Sequence, residues 1–134
     1  MSDLPTKAPR PTPENQAFWD ATAEDRFVLQ RCTSCASVIW WPRAMCPDCG
    51  SFELELFDAS GDGKVYSFSI NRKGGGSWRE ASPYVVAYVE LDEGPRLMTN
   101  IVECDPESVH IDMPVTLAWA DTGEGTKLPR FMPK

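Results

Sequence analysis

Residues 32–50 of this chain read CTSCASVIWWPRAMCPDCG and contain four of its five cysteines. Their spacing is C-x2-C-x10-C-x2-C, formed by Cys32, Cys35, Cys46 and Cys49. Two thiolates two residues apart can bind one ion, and two such pairs complete a tetrahedral site with Zn–S distances of about 2.3 Å. Because the protein fills all four positions, we expect a structural metal with no open position for a substrate water.

Zinc is the metal that this spacing favours, in a ribbon that spans residues 27–58. Two alternatives stay open from the sequence alone. A redox-active dithiol is one, although the chain lacks the βαβ context of thioredoxin-like motifs. An iron centre of the rubredoxin type is the other, because it uses the same four thiolates. Gly50 after Cys49 permits a tight turn, whereas Ala36 after Cys35 places a bulkier residue in the first knuckle.

Length and charge limit the function classes. The 134 residues contain 13 Lys and Arg against 20 Asp and Glu, a formal net charge of -7. Residues 84–112 hold seven acids and one arginine, a net of -6, which repels a nucleic-acid backbone. The chain shows no apolar run of transmembrane length and no signal peptide, and its cysteine count is odd. We therefore expect a cytoplasmic protein without nucleic-acid or membrane partners.

The N-terminal region reads as an arm followed by a short helix. Residues 1–13 contain four prolines and little to bury, which predicts an extended arm, in part disordered. Thr12, with Pro13 and an acid after it, is typical of a helix start with the threonine hydroxyl as cap. The helix is expected over about residues 14–25, within a segment of residues 14–26. Its narrow apolar face must pack against the rest of the chain or against a partner.

Period-two patterns dominate residues 59–134 and predict strands. In the first strand, Tyr66, Phe68 and Ile70 are expected to share the buried face. Glycine-rich turns separate or precede the strands. Five short strands in about 70 residues favour a small OB-type barrel. The predicted strands are residues 64–70, 84–91, 97–102, 115–120 and 127–131. The sequence thus predicts a mainly β fold: a short N-terminal helix, a rubredoxin-like zinc ribbon and a five-stranded OB-fold barrel.

Catalytic candidates are few. His110 is the only histidine and lies in an acidic segment. Asp121-Thr122-Gly123 matches the core of an aspartic-protease motif, but no second copy supplies the required carboxylate pair, so we read it as a turn. Cys104 has no visible activating neighbour and is expected to be a packed, inert thiol. The chain is therefore not predicted to be an enzyme on its own.

The loop at residues 71–79 is locally basic and glycine-rich and carries a tryptophan. Arg72, Lys73 and Trp78 are candidates to contact an anionic cofactor tail, such as a coenzyme A phosphate, or a partner. The alternative is a mobile loop with solvated charges. Between the two CxxC pairs, Trp40 and Trp41 are expected to pack the ribbon onto the barrel.

The run FWDATAEDRFVLQRCTSCASVIWWPRAMCPDCGS, residues 18–51, resembles the opening of the zinc-ribbon plus OB-fold family of acyl-CoA-associated proteins. The ending LPRFMP, residues 128–133, resembles the closing strand of that family. The resemblance implies a non-catalytic accessory subunit that binds and stabilises a thiolase-fold acyl-CoA enzyme, namely a thiolase, a synthase or a side-chain-cleaving aldolase. Such an enzyme would act in sterol or lipid degradation, and the subunit would help to shape its CoA and substrate channel.

The resemblance also implies site roles. The four cysteines would hold a structural Zn²⁺, and a CoA thioester would enter only as the partner's substrate, in a hetero-oligomer. Phe18 and Trp19 are interface candidates, and Arg72, Lys73 and Trp78 are cofactor-contact candidates. Two other functions stay open: a stand-alone acyl-CoA-binding protein, and a single-stranded nucleic-acid-binding OB module, which the acidic charge disfavours.

Overall fold

The computed structural model describes residues 4–134, so the first three residues of the predicted arm lie outside the described residues. The described residues form one short helix, eight strands and two single-turn 3-10 helices at Gly76–Trp78 and Pro106–Ser108. The helix and strands are α1 Gln16–Thr22, β1 Val28–Cys32, β2 Val38–Ile39, β3 Leu54–Asp58, β4 Asp62–Asn71, β5 Tyr84–Leu91, β6 Arg96–Ile101, β7 Pro114–Asp121 and β8 Lys127–Pro133.

Two sheets make up the architecture. An antiparallel three-stranded sheet of order β2-β1-β3 carries the cysteine knuckles. The remaining strands form a closed barrel of order β4-β5-β6-β8-β7, in which β4 also pairs with β7. Strand β6 pairs with β8 in parallel, and this pairing aligns Ile101 with Phe131. The mainly β fold with a five-stranded barrel is therefore confirmed.

The barrel interior is filled by β-branched and aromatic side chains from facing strands. Val65, Val89, Val115 and Phe131 are each 0% exposed. The same apolar cluster continues into the ribbon, because Phe27 lies 6.3 Å from Phe131, measured between ring centroids. Ribbon and barrel thus share one core, and burial of this continuous apolar surface holds them together.

The expected alternation of the first barrel strand is wrong at Tyr66. A β-bulge between Val65 and Ser67 shifts the register of β4 against β5. As a result Val65 is the buried residue and Tyr66 is 46% exposed, with the Arg96 guanidinium 3.8 Å from its ring centroid. An extra residue in one strand changes which face of the sheet the following side chains point to. A prediction from strict alternation of apolar and polar residues does not detect such a bulge.

The predicted helix start is also wrong. Thr12 does not cap the helix through its hydroxyl; instead its backbone N–H donates to the Asn15 side-chain oxygen at 2.7 Å. The Thr12 carbonyl accepts from Asn15 and Gln16, which closes a turn before α1, so the helix has seven residues. The side-chain amide of Asn15 satisfies a local backbone donor and thereby delays the helix.

The N-terminal arm, where the structure describes it, is attached to the barrel. The Thr6 hydroxyl and the Pro5 carbonyl accept hydrogen bonds from Arg130 of β8, at 2.9 and 2.6 Å. These two hydrogen bonds join residues 5 and 6 of the arm to the last barrel strand. Within residues 4–134, no helix has the length and apolar character needed to cross a membrane.

Candidate metal centre and tryptophan groove

The structure brings the four predicted metal ligands together. Their sulfur atoms all lie within 4.8 Å of one another. The Sγ atoms of Cys32 and Cys49 are 3.6 Å apart, and those of Cys35 and Cys46 are 3.7 Å apart. A tetrahedral ion with metal–sulfur distances of about 2.3 Å requires sulfur atoms about 3.8 Å apart. The donor set and its spacing therefore fit a four-coordinate metal ion.

The two knuckles repeat the same backbone geometry. In the first, the N–H of Ala36 donates to the Cys32 carbonyl at 2.8 Å; in the second, the N–H of Gly50 donates to the Cys46 carbonyl at 2.9 Å. Both turn residues have a left-handed backbone, with φ of 66° for Ala36 and 78° for Gly50. A hydrogen bond between Ser34 and Ser51, 2.9 Å long, joins the knuckles.

The thiols influence one another's ionisation. Backbone N–H donation from Cys35 lowers the pKa of Cys32 to about 6, although burial opposes this. At Cys35 the N–H of Ser37 lowers the pKa, but burial and the neighbouring sulfurs outweigh it and raise the pKa to about 12. Four clustered thiols thus resist full ionisation, and a bound divalent cation supplies the charge that allows it.

Phe18 and Trp19, the two residues predicted to lie at a partner interface, are largely buried within the chain. They are 1% and 6% exposed. The Phe18 ring makes edge-to-face contacts with Trp19 and Trp40, at centroid distances of 5.0 and 5.1 Å. Side chains this buried pack mainly within the chain, and they dock α1 onto the ribbon.

A groove lies where the ribbon, the barrel and the N-terminal arm meet, and we call it the tryptophan groove. Four of the chain's five tryptophans line it: Trp19, Trp40, Trp41 and Trp78. Trp40 stacks on Trp41 at a centroid distance of 4.3 Å. Trp40 packs against the shared core, whereas Trp41 is 41% exposed. Only one member of the predicted packing pair is thus mainly a packing residue.

The three cofactor-contact candidates of the basic loop are not brought to one place. Trp78 lines the tryptophan groove and contacts Tyr84, at a centroid distance of 4.7 Å. Arg72 instead forms an exposed ion pair with Glu107 in the segment after β6. Lys73 is exposed and does not line the groove. Of the three candidates, Trp78 alone therefore lines the groove.

Sequence reasoning missed Arg130, which also lines the tryptophan groove. Arg130 is only 7% exposed, which is unusual for a charged side chain. The available signal was an arginine inside the apolar strand LPRFM, residues 128–132. The sequence pattern predicts a closing strand there, but it does not predict that its arginine is buried.

The aspartic-protease-like sequence at residues 121–123 lies in a turn, and His110 lies at the surface. Gly123, with φ of 79°, follows Asp121 in a turn in which its N–H donates to the Asp121 carboxylate at 2.8 Å. His110 is exposed, and its Nδ1 lies 3.1 Å from the Ser108 carbonyl oxygen. In the described part of the chain, the four cysteines form the one grouping of three or more metal-ligating side chains.

Comparison with known families agrees with this architecture. Residues 19–55 match the model of the ChsH2 rubredoxin-like zinc ribbon domain, and residues 58–120 match that of the ChsH2 C-terminal OB-fold domain. The chain belongs to the ChsH2 family. A ChsH2-type chain in a solved structure, described as the Ltp2–ChsH2(DUF35) aldolase, superimposes with a TM-score of 0.85 at 39% identity. The match covers 94% of this chain and 98% of that one.

Three curated relatives extend the comparison. A DUF35 domain-containing scaffold protein of Methanocaldococcus jannaschii is 41% identical, over 69% of this chain and 67% of its own. The benzoylsuccinyl-CoA thiolase subunit BbsA of Thauera aromatica is 31% identical, over 84% of this chain and 81% of its own. A probable enoyl-CoA hydratase alpha subunit of Thermomonospora curvata is 42% identical over 95% of this chain, which spans only 41% of that protein.

Proposed function

We propose that this ChsH2-family chain is a non-catalytic accessory subunit that binds and stabilises a thiolase-fold acyl-CoA enzyme. The observation that carries the proposal is the 39% identical ChsH2-type chain of an aldolase, matched over 98% of its length. The relatives described as a scaffold protein and as a thiolase subunit support the same role. The enzyme would be a thiolase, a synthase or a side-chain-cleaving aldolase of lipid degradation.

The chemistry of the chain agrees with a supporting role. A four-thiolate site leaves no metal coordination position for substrate, so the metal, which we propose to be Zn²⁺, is structural. When bound, the metal ion would cross-link the two cysteine knuckles. Reduced thiols are maintained in the cytoplasm, which is the proposed location. A CoA thioester would be bound mainly by the enzyme, with this subunit forming one wall of its channel.

The test is co-expression of the chain with the thiolase-fold enzymes of its own source organism, followed by gel filtration with light scattering. The proposal predicts one stable peak that contains this chain and one of those enzymes. A thiolase-fold enzyme from an unrelated organism is the matched control and should elute separately. If the chain elutes as a 15.0 kDa monomer beside every thiolase-fold enzyme of its source, the proposal is wrong.

A second partner class has support from a specific observation. The 42% identical Thermomonospora curvata relative carries the description of a probable hydratase alpha subunit. The same co-expression experiment should therefore include the hydratase-fold chains of the same source organism. Co-elution with that chain instead of the thiolase-like enzyme would replace the first proposal by this second one.

A further inference from the structure

The tryptophan groove has the size and lining of a ligand site. Its volume is about 370 Å³, and its walls include Trp41, Trp78 and Met98 besides the buried Trp19 and the partly buried Trp40. Sites for small organic molecules typically enclose about 300–1,000 Å³ with mostly apolar and aromatic walls. The groove is therefore large enough for a small organic molecule with an apolar body.

Arg130 gives the groove a buried positive charge that is not neutralised inside residues 4–134. Two of its five N–H groups donate, to the Thr6 hydroxyl and the Pro5 carbonyl, and both acceptors are uncharged. No carboxylate of residues 4–134 bonds to it, and burial lowers the pKa of Arg130. A buried guanidinium without a counter-charge is costly, so an anion at this position would be strongly favoured.

The charge around the groove has the sign that an anionic ligand requires. Lys7 and Arg130 line it, and no acidic residue does, although the whole chain carries a formal charge of -7. A guanidinium presents a planar pair of donors that matches the two oxygens of a carboxylate. Indole rings beside it supply a flat apolar surface and stack on alkyl or aromatic groups.

We propose that the tryptophan groove binds a small organic carboxylate with an apolar body. The carboxylate pairs with Arg130, and the apolar part lies between Trp41 and Trp78. Contact with the rim residues Pro5 and Lys7 would couple ligand binding to the position of the N-terminal arm. The inference concerns the chain itself and does not depend on the enzyme partner proposed above.

The first test compares two probes of the same length on the metal-loaded full chain: octanoate, which is anionic, and octanamide, which is neutral. Tryptophan fluorescence reports on the groove, because four of five tryptophans line it. Octanoate should bind at least about tenfold more tightly than octanamide, since only octanoate neutralises Arg130. Equal affinities, or no octanoate binding up to millimolar concentration, would overturn the inference.

Variants then separate the two halves of the site. Arg130→Met keeps the apolar stem but removes the charge, so octanoate affinity should fall to that of octanamide. Arg26→Met, an exposed arginine paired with Asp58, is the matched control and should leave both affinities unchanged. Trp78→Ala should weaken both probes alike, because it removes an apolar wall. If Arg130→Met still bound octanoate about tenfold more tightly than octanamide, the inference would be contradicted.

Two safeguards keep the test decisive. If Arg130→Met does not fold, the octanoate and octanamide comparison on the unaltered chain still decides the question. Failure of this inference is also distinguishable from failure of the proposed function. A chain that forms the enzyme complex but shows no octanoate preference overturns only the groove assignment, whereas a chain that binds octanoate but no enzyme overturns only the accessory role.

Discussion

Ala36 and Gly50 hold equivalent positions in the two knuckles, yet only one of them is suited to its backbone. Both have positive φ, at 66° and 78°. A residue with a Cβ pays about 1–2 kcal/mol in the left-handed region, whereas glycine does not. A Cβ at Gly50 would meet no atom within 4 Å, so conformation alone decides the effect of a substitution there.

We expect Ala36→Gly to raise the free energy of unfolding by about 0.5–1 kcal/mol, because relief of the left-handed strain exceeds the extra chain entropy of glycine. Gly50→Ala, the reverse change at the matched position, should lower it by about 0.5–1 kcal/mol, because the same strain is partly offset by the lower chain entropy of alanine. Denaturant unfolding of the metal-loaded chain measures both values. Loss of stability in Ala36→Gly would show that this turn is not strained.

For single residues, the sequence predicted which side chains bind metal better than it predicted which side chains point into the core. The four metal ligands could be read from spacing alone, because two CxxC pairs have few other uses in a reduced protein. The outward orientation of the Tyr66 side chain could not be predicted, because the β-bulge adds one residue to the strand and the hydrophobic pattern does not reveal it. Arg130 was missed for a related reason: its burial depends on the N-terminal arm, which lies far away in sequence.

The zinc ribbon is the element whose structure depends most directly on its metal. Its sheet has only three strands, and β2 has two residues, so few backbone hydrogen bonds hold it. A structural zinc site contributes roughly 10–16 kcal/mol of apparent binding energy, more than such a sheet supplies.

Cys46→Ser should therefore abolish stoichiometric metal binding and unfold the ribbon, because Cys46 is a buried ligand at 1% exposure. Cys104→Ser is the matched control, since Cys104 lies outside the cluster, and it should retain one equivalent of zinc. Metal analysis of protein purified without added zinc, together with tryptophan fluorescence, measures both effects. One equivalent of bound metal in Cys46→Ser would contradict the assignment.

Helix α1 depends on aromatic packing rather than on its own capping. It has seven residues and no side-chain cap, too short to be stable alone. Phe18 supplies its anchor, and Thr22 fixes its end, because the Thr22 hydroxyl accepts the backbone N–H of Lys127 at 3.1 Å.

Phe18→Ala should lower the free energy of unfolding of the isolated chain by about 3–5 kcal/mol, as expected for deletion of a buried aromatic ring. Phe52→Ala, at a residue that is 75% exposed, should change it by less than about 0.5 kcal/mol. Urea unfolding compares the two variants. If Phe18→Ala left stability intact but weakened partner binding, the ring would belong to an interface after all.

For the whole molecule, the order of helix, ribbon and barrel was predictable because each has a strong local pattern. The core shared by ribbon and barrel was not, since it rests on contacts between distant segments, such as Phe27 with Phe131. The tryptophan groove has the same origin. It is built from the arm, the ribbon and the barrel together, and no single stretch of sequence contains it.

The central claim, that the chain acts as a metal-braced accessory subunit of an acyl-CoA enzyme, is tested most directly by native mass spectrometry of the complex purified from its source. The account predicts an assembly that contains the thiolase-like enzyme and this 15.0 kDa chain, with one zinc ion per accessory chain. A 15.0 kDa species that carries zinc but no enzyme, or an enzyme that is complete without this chain, would contradict it.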